Sequence, residues 1–367
     1  MKRLTLALIG AAALPAVAMA DITVKYDTIP TQPVEYKILT ISEMLKPRGE
    51  GAGPVSGTAT LTDGKYVIPT IAAGPAQYFI PTGERSSVNF YAQPGDSLYV
   101  HITSLTPLEY DVNGTKLMDD ITALRNQGDD VMKRFQILTA GKNYSREDVM
   151  AIESDYNKIF TDFIAANPES PAVAYAVLNL EGEDFIKALN AMTPAAKESP
   201  LYALAAAQKE MVEQQIETEK RKAQLSSGEV EAPDFTFNNL EGKPVSLKDF
   251  RGKWVVIDFW GAWCPWCIKG FPALKEAYAK YKDKLEVIGL DCNDKPDAWK
   301  AAVKKYELPW VNVYNPDPKG GKVLEDYAVE GFPTKVIVNP EGRIVNITTG
   351  ENPEFFEILD SLVKYWH

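Results

Sequence analysis

Apolar and polar residues change their rhythm twice along this chain of 367 residues, and each change predicts a different kind of structure. From residue 21 to about residue 111, β-branched and aromatic residues fall in short runs at 34–40, 54–61, 65–69, 77–80, 88–92 and 97–103, cut by Gly and Pro. Runs of this composition between turn residues predict an antiparallel β domain. Asp63-Gly64, between Ala59-Thr60-Leu61 and Tyr66-Val67-Ile68, signals a tight hairpin, and Pro94-Gly95-Asp96 marks another turn. Between about residues 115 and 224 apolar pairs recur three and four apart, as in Ile121/Leu124, Met132/Phe135, Ile159/Phe163 and Leu201/Leu204/Ala205. That is the period of amphipathic helices, punctuated here by Gly141, Pro168, Pro171 and Pro194.

A third rhythm begins after Ser226-Ser227-Gly228, which reads as a linker. The run KWVVIDFW at 253–260 is apolar without alternation and predicts a buried strand; 268–281 predicts a helix and 285–291 a second strand. A helix at 297–306, strands at 310–314, 334–339 and 343–348, a turn at Pro340-Glu341-Gly342 and a last helix at 353–365 complete the pattern. Strand–helix–strand early and a hairpin late predict an α/β domain with a mixed central sheet flanked by helices. The expected organisation is an antiparallel β domain at 21–114, an α-helical region and linker at 115–228, and an α/β domain at 229–367.

The first twenty residues, MKRLTLALIGAAALPAVAMA, combine a basic start, an apolar stretch and Ala18-Met19-Ala20 before Asp21. This layout predicts a secretory signal peptide cleaved after Ala20. The apolar run is shorter than the roughly 20 residues that span a bilayer, and Pro15 interrupts it. With 39 Lys and Arg against 50 Asp and Glu, the formal charge is −11; removal of Lys2 and Arg3 makes it 37 − 50 = −13. There is no basic tract, so nucleic acid is not an expected partner. The three cysteines all follow residue 260, which excludes a disulfide scaffold for the rest of the chain. The only histidines, His101 and His367, are remote from the cysteines in sequence, so neither a metal site nor any cofactor is expected. His101 alternates with apolar neighbours and reads as a sheet residue.

The chemistry concentrates in Trp263-Cys264-Pro265-Trp266-Cys267. Two cysteines three apart, after a buried strand and at the start of a helix, place the first sulfur against free backbone N–H groups and the positive end of the helix dipole. Cys264 is therefore expected to be an exposed nucleophile and Cys267, one turn on, the resolving thiol. A purely structural disulfide is the competing reading, but closing so short a loop stabilises by only about 2 kcal/mol. Cys292, in Asp291-Cys292-Asn293-Asp294, has acidic neighbours that oppose thiolate formation and is expected to be a quiet thiol.

The string from Val256 to Cys267 (VIDFWGAWCPWC), with Gly331-Phe332-Pro333-Thr334 later, resembles the thioredoxin superfamily, and in particular its exported branch typified by TlpA and ResA. Ala232-Pro233-Asp234-Phe235 and Gly252-Lys253 match that branch too, and the similarity extends over residues 229–367. The β region before Asn113-Gly114 resembles, more weakly, an N-terminal domain often fused to such proteins in gut anaerobes. The resemblance implies that Pro333 is a cis-proline presenting the backbone of Phe332 to a bound strand. It implies that Asp258 is the buried acid that handles the proton of Cys267, and that Trp263, Pro265, Trp266, Phe332 and Pro333 contact substrate. It further implies protein disulfides or thiols as substrates; the signal-peptide layout implies an envelope or periplasmic location, and a reductase in such an oxidising compartment needs an external electron donor, expected to be a membrane protein. Three departures stand out. Pro265-Trp266 replaces the Gly-Pro dipeptide, Gly270 stands where many members of the branch carry a glutamate, and Val287 stands where thioredoxins carry a lysine, so no counter-charge for Asp258 is visible.

The function expected is disulfide exchange, in the reducing direction by resemblance alone. An isomerase or oxidase of the same fold, and a scaffold whose residues 21–228 hold a partner, are the alternatives. A peroxiredoxin-type peroxidase is a further one, because Ala-Pro-Asp-Phe also opens that family; Gly261 stands where such enzymes place Thr or Ser. Oligomeric state is not legible.

Overall fold

The computed structural model describes residues 21–71, 73–141, 144–317 and 321–366; the expected signal peptide, residues 1–20, and His367 lie outside the described residues. Two compact units, Met1–Gln214 and Gln215–His367, divide the chain within a long helix.

The first unit opens with β1 (Asp21–Tyr26), β2 (Glu35–Thr40) and a single turn, α1 (Ile41–Met44). β3 (Val55–Thr58), β4 (Thr60–Thr62), β5 (Lys65–Pro69), β6 (Ala76–Pro81), β7 (Ser87–Ala92), β8 (Leu98–Leu105) and β9 (Leu108–Asn113) follow. They form one sheet in the order β4-β5-β1-β8-β9 and another in the order β3-β2-β6-β7. Each buries alternate residues: Ile22 and Val24 of β1, Val100 and Ile102 of β8, Tyr78 and Ile80 of β6, Val88 and Phe90 of β7. Asp63 (φ 50°) and Gly64 (φ 77°) supply the left-handed pair that joins β4 to β5. The pairing is antiparallel except between β1 and β8, which run parallel with Val24 opposite Val100. Alternation reads the same in either direction, so the sequence pattern could not distinguish the two. His101 lies in β8 with Nε2 2.7 Å from Asp27 Oδ1. No cluster of three metal-ligating side chains occurs among the described residues.

Thr115 caps α2 (Lys116–Ala140) by accepting from the Met118 amide, and Ser145 forms a capping box with Asp148 at α3 (Arg146–Ala166). α4 (Val173–Leu178), α5 (Gly182–Ala191), α6 (Pro194–Lys197) and α7 (Tyr202–Leu225) complete the helical stretch. Gly141 is the C-cap of α2 and Pro194 the first residue of α6, so these punctuating residues sit at helix ends. No described helix is long and apolar enough to cross a membrane.

The second unit contains β10 (Thr236–Asn239), β11 (Pro244–Ser246), β12 (Trp254–Trp260), α8 (Pro265–Tyr281), β13 (Leu285–Asp291), α9 (Pro296–Lys305) and β14 (Val311–Tyr314). α10 (Gly321–Asp326), β15 (Thr334–Val338), β16 (Ile344–Thr349) and α11 (Glu354–Lys364) finish it. Its seven-stranded sheet has the order β11-β10-β14-β13-β12-β15-β16, with β12, β13 and β14 parallel and the other pairs antiparallel. β10 and β11 were not expected: TFNN and PVS are too short and polar to show a strand pattern.

Every residue of β12 is buried, because helices cover both sides of the sheet. Val255, Ile257 and Phe259 join one apolar cluster with Leu290, Tyr327 and Val336. Val256 and Trp260 join the other, with Phe271 and Leu274 of α8 and Leu359 of α11. Asp258 lies between Val256 and Trp260 on that second face. Register aligns Lys335, Asp258, Gly289 and Asn312 in one row across β15, β12, β13 and β14. A Cβ on Gly289 would come within 2.7 Å of Asn312 Oδ1 and 2.9 Å of Trp310 Nε1. Gly289→Ala is therefore expected to destabilise the fold by about 1–3 kcal/mol, the usual cost of overpacking. Denaturant unfolding measures this, and an unchanged midpoint would mean that Asn312 and Trp310 yield freely.

Candidate active site

The end of β12 delivers the chain to α8 through Gly261-Ala262-Trp263. Cys264 is the N-cap of α8 and Pro265 its first residue, where a missing N–H costs nothing and φ is already helical. Cys264 and Cys267 are joined by a disulfide with Cα atoms 5.3 Å apart, and Cys264 Sγ accepts a hydrogen bond from the Cys267 amide at 3.1 Å. The Cys267 N–H and the positive end of the α8 dipole are thus directed at the Cys264 sulfur, the arrangement that stabilises a thiolate once the bond is reduced. The expectation of an exposed Cys264 is not met. The residue is 3% exposed and Cys267 2%, because the Cys264 sulfur turns inward to its partner and the residue packs into the cluster that Ala262 and Phe332 border.

The segment after β13 holds the loop before the cysteines in place. Ala262 N–H donates to Asp294 Oδ2 (2.5 Å), and Trp263 Nε1–H to the carbonyl of Cys292 (3.0 Å). Tyr314 O–H donates to the Asp294 carbonyl at 3.0 Å. Anchored by its indole N–H, Trp263 meets Phe332 edge to face at 5.2 Å and remains 49% exposed. Trp266 is 60% exposed, with the Lys269 ammonium 4.8 Å from its ring centre. Pro265 is exposed, whereas Pro333 is buried. The Phe332–Pro333 peptide bond is cis, as is Thr106–Pro107. The Pro333 carbonyl accepts from Gly350 N–H at 2.7 Å, and Thr334 Oγ1–H donates to the Gly331 carbonyl at 2.8 Å, which ties this turn to the end of β16. The structure therefore brings Trp263 and Phe332 together beside Cys264, and sets Trp266 apart with Lys269.

Asp258 is 1% exposed. The absence of a counter-charge expected from Val287 is corrected by the structure. Lys335, directly opposite Asp258 on antiparallel β15 and itself 3% exposed, places Nζ 3.7 Å from Asp258 Oδ1. That separation is an ionic contact, too long for a hydrogen bond. Lys335 Nζ hydrogen-bonds instead to Glu351 Oε1 at 2.6 Å. Burial pushes the Asp258 carboxyl above the usual range; Lys335 opposes this in part, and the Glu351 charge adds to it. Sequence reading missed Lys335 because the pairing spans two strands. The available signal was a lysine inside TKVIV, a strand otherwise too apolar to face water.

Cys292 is a free cysteine and fully buried; burial first, then Asp291, Asp258 and Asp294, push its thiol up, so it stays protonated. The Asp291 carboxyl is pushed up to about 9, by burial and by Asp294 beside it.

A mixed sheet, a Cys-x-x-Cys disulfide capping the helix after a central strand, and a buried carboxyl beneath that helix define a thioredoxin-fold thiol-disulfide oxidoreductase. Comparison with known proteins agrees. The AhpC/TSA family matches residues 229–347. Thiol-disulfide oxidoreductase ResA of Bacillus thuringiensis subsp. konkukian is 38% identical over 135 residues, 36% of this chain and 75% of that protein. ResA of Bacillus subtilis is 33% identical over 134 residues, 36% and 73% respectively. The chain belongs to this family of ResA-type thiol-disulfide oxidoreductases, through its C-terminal part. Among solved structures, the thioredoxin domain of a thiol-disulfide oxidoreductase from Bacteroides vulgatus is similar at 33% identity, with a TM-score of 0.35 over 37% of this chain and 98% of that one.

Proposed function

We propose that the protein reduces disulfides of other proteins in the cell envelope, with Cys264 as nucleophile, Cys267 as resolving thiol and Asp258 as proton acceptor. The observation that carries the reading is the Cys264 sulfur at the N-terminus of α8, receiving the Cys267 amide hydrogen bond. In the reduced protein, Cys264 thiolate attacks a substrate disulfide, one substrate thiolate leaves, and a mixed disulfide forms. Cys267 gives its proton to Asp258 and attacks Cys264 Sγ, which releases the second substrate thiolate and regenerates the Cys264–Cys267 disulfide. Two electrons from a donor, for which we propose a membrane protein, reset the pair. Trp263 and Phe332 form the half-exposed apolar edge beside Cys264 on which a substrate strand would lie, with Pro265, Trp266 and the backbone at Pro333 flanking it. The signal-peptide pattern of the first twenty residues supports the envelope location.

Direction of electron flow is tested by equilibrating the full chain with glutathione. The potential of the Cys264–Cys267 pair is expected near that of thioredoxin, about −270 mV, and a value near about −120 mV would make the protein an oxidant. The match to the AhpC/TSA family favours one second reading, a thiol peroxidase. Consumption of hydrogen peroxide with a thiol donor would establish it in place of disulfide reduction.

A further inference from the structure

We propose that Glu351 is a positioning residue that governs Asp258 through Lys335, and that glycine at position 270 is what admits it to the site. The proposal rests on the reading of Asp258 as the proton acceptor and identifies what controls it.

One buried ammonium serves two carboxylates unequally. Lys335 Nζ is 2.6 Å from Glu351 Oε1, within hydrogen-bond reach, and 3.7 Å from Asp258 Oδ1, outside it. Lys335 is 3% exposed, so its ammonium has little access to water and its position follows from its protein partners. Glu351 reaches it from the turn after β16. Gly350, with φ 84°, donates its N–H to the Pro333 carbonyl at 2.7 Å, and this contact fastens that turn to the segment preceding Lys335.

The space that Glu351 fills belongs to another element. Gly270 is buried within α8, and a Cβ built on it would lie 2.2 Å from Glu351 Oε1, 2.4 Å from Cδ and 2.5 Å from Oε2. Even a methyl group there displaces the carboxylate, and because the displaced atoms are the end of a flexible side chain the backbone need not move; what is lost is the Lys335–Glu351 hydrogen bond. Gly270 and Glu351 are thus one device: a helix gives up its side chain so that a carboxylate from a distant turn can occupy the place.

The consequence for Asp258 has a definite sign. Glu351 draws the ammonium off Asp258 and adds its own negative charge, and both effects make Asp258 hold a proton more tightly. On the Asp258 face of the sheet, α8 contributes the titratable groups Cys264 and Cys267, here bonded together; the Cys292 thiol belongs to the cluster on the opposite face and is coupled to Asp258, Asp291 and Asp294 only through their charges. Without Glu351 the ammonium is free to close on Asp258, whose carboxylate form then gains a full ion pair.

The test uses the oxidised full chain with aspartate carboxyl carbons labelled, so that the two active-site cysteines do not titrate. Asp258→Asn identifies the Asp258 resonance. In Glu351→Gln the Asp258 resonance is expected to titrate at lower pH than in the wild type. Gly270→Ala, which leaves every charge in place and favours the helix, should move it the same way. An Asp258 titration unmoved or raised in Glu351→Gln overturns the proposal; so does a Gly270→Ala titration that stays at the wild-type pH. The pH–rate profile of disulfide exchange in the same variants separates the two readings. If the resonance moves while the rate profile does not, Glu351 still governs Asp258, but Asp258 is not the proton acceptor.

Discussion

Cys267→Ala is expected to turn the protein into a trap that accumulates mixed disulfides, whereas Cys264→Ala should be silent. Attack on a partner's disulfide needs only the Cys264 thiolate, but release needs a second sulfur within bonding distance. Cys267 provides it, its Cα 5.3 Å from that of Cys264 and its amide already on the Cys264 sulfur. Cys292 is no substitute: it is fully buried, and its thiol is pushed up by burial and three carboxyl groups. Turnover should vanish in both variants, and only the Cys267→Ala protein should run as reducible high-mass bands on a non-reducing gel. Trapping by Cys264→Ala would reverse the assigned roles or make Cys292 reactive. If neither variant traps, protein disulfides are not the substrate.

The second large effect belongs to Asp258→Asn, which should slow disulfide release and stabilise the oxidised fold together. Loss of a positioned proton acceptor typically costs about 10²- to 10⁴-fold in rate, and the acid limb of the pH–rate profile should disappear with it. The stability change follows from linkage. The folded carboxyl sits above its unfolded value of about 3.9, so between those two values the folded state binds more protons than the unfolded state. Wild-type stability therefore falls as pH rises through that window, and below it the effect is absent. Asparagine removes the penalty without stranding Lys335, which keeps its 2.6 Å hydrogen bond to Glu351. Denaturant midpoints should favour Asp258→Asn at neutral and alkaline pH and converge with the wild type near pH 3. A variant less stable at every pH would show that the long Lys335–Asp258 contact stabilises the fold on balance.

Periodicity, turn chemistry and one short motif already carried much of this protein. Runs of β-branched and aromatic residues between turn residues marked six strand regions of the first unit, Asp63-Gly64 marked its hairpin, and three-and-four spacing marked the helices from residue 116 onward. The run of β12, apolar but for Asp258 and followed by two cysteines three apart, located the disulfide at the head of α8. These features are local: a period, a positive φ or a helix start depends on residues within a few positions of one another. What the tertiary structure decided is non-local. The parallel pairing of β1 with β8, the edge strands β10 and β11, and the burial of Cys264 leave no trace in local periodicity. The same holds for the charges around Asp258. Lys335 arrives by antiparallel register from β15, and Glu351 enters a space that Gly270 leaves open on another element. A carboxyl's proton affinity is set by whatever surrounds it in space within a few ångströms, and the order of residues along the chain does not encode those distances.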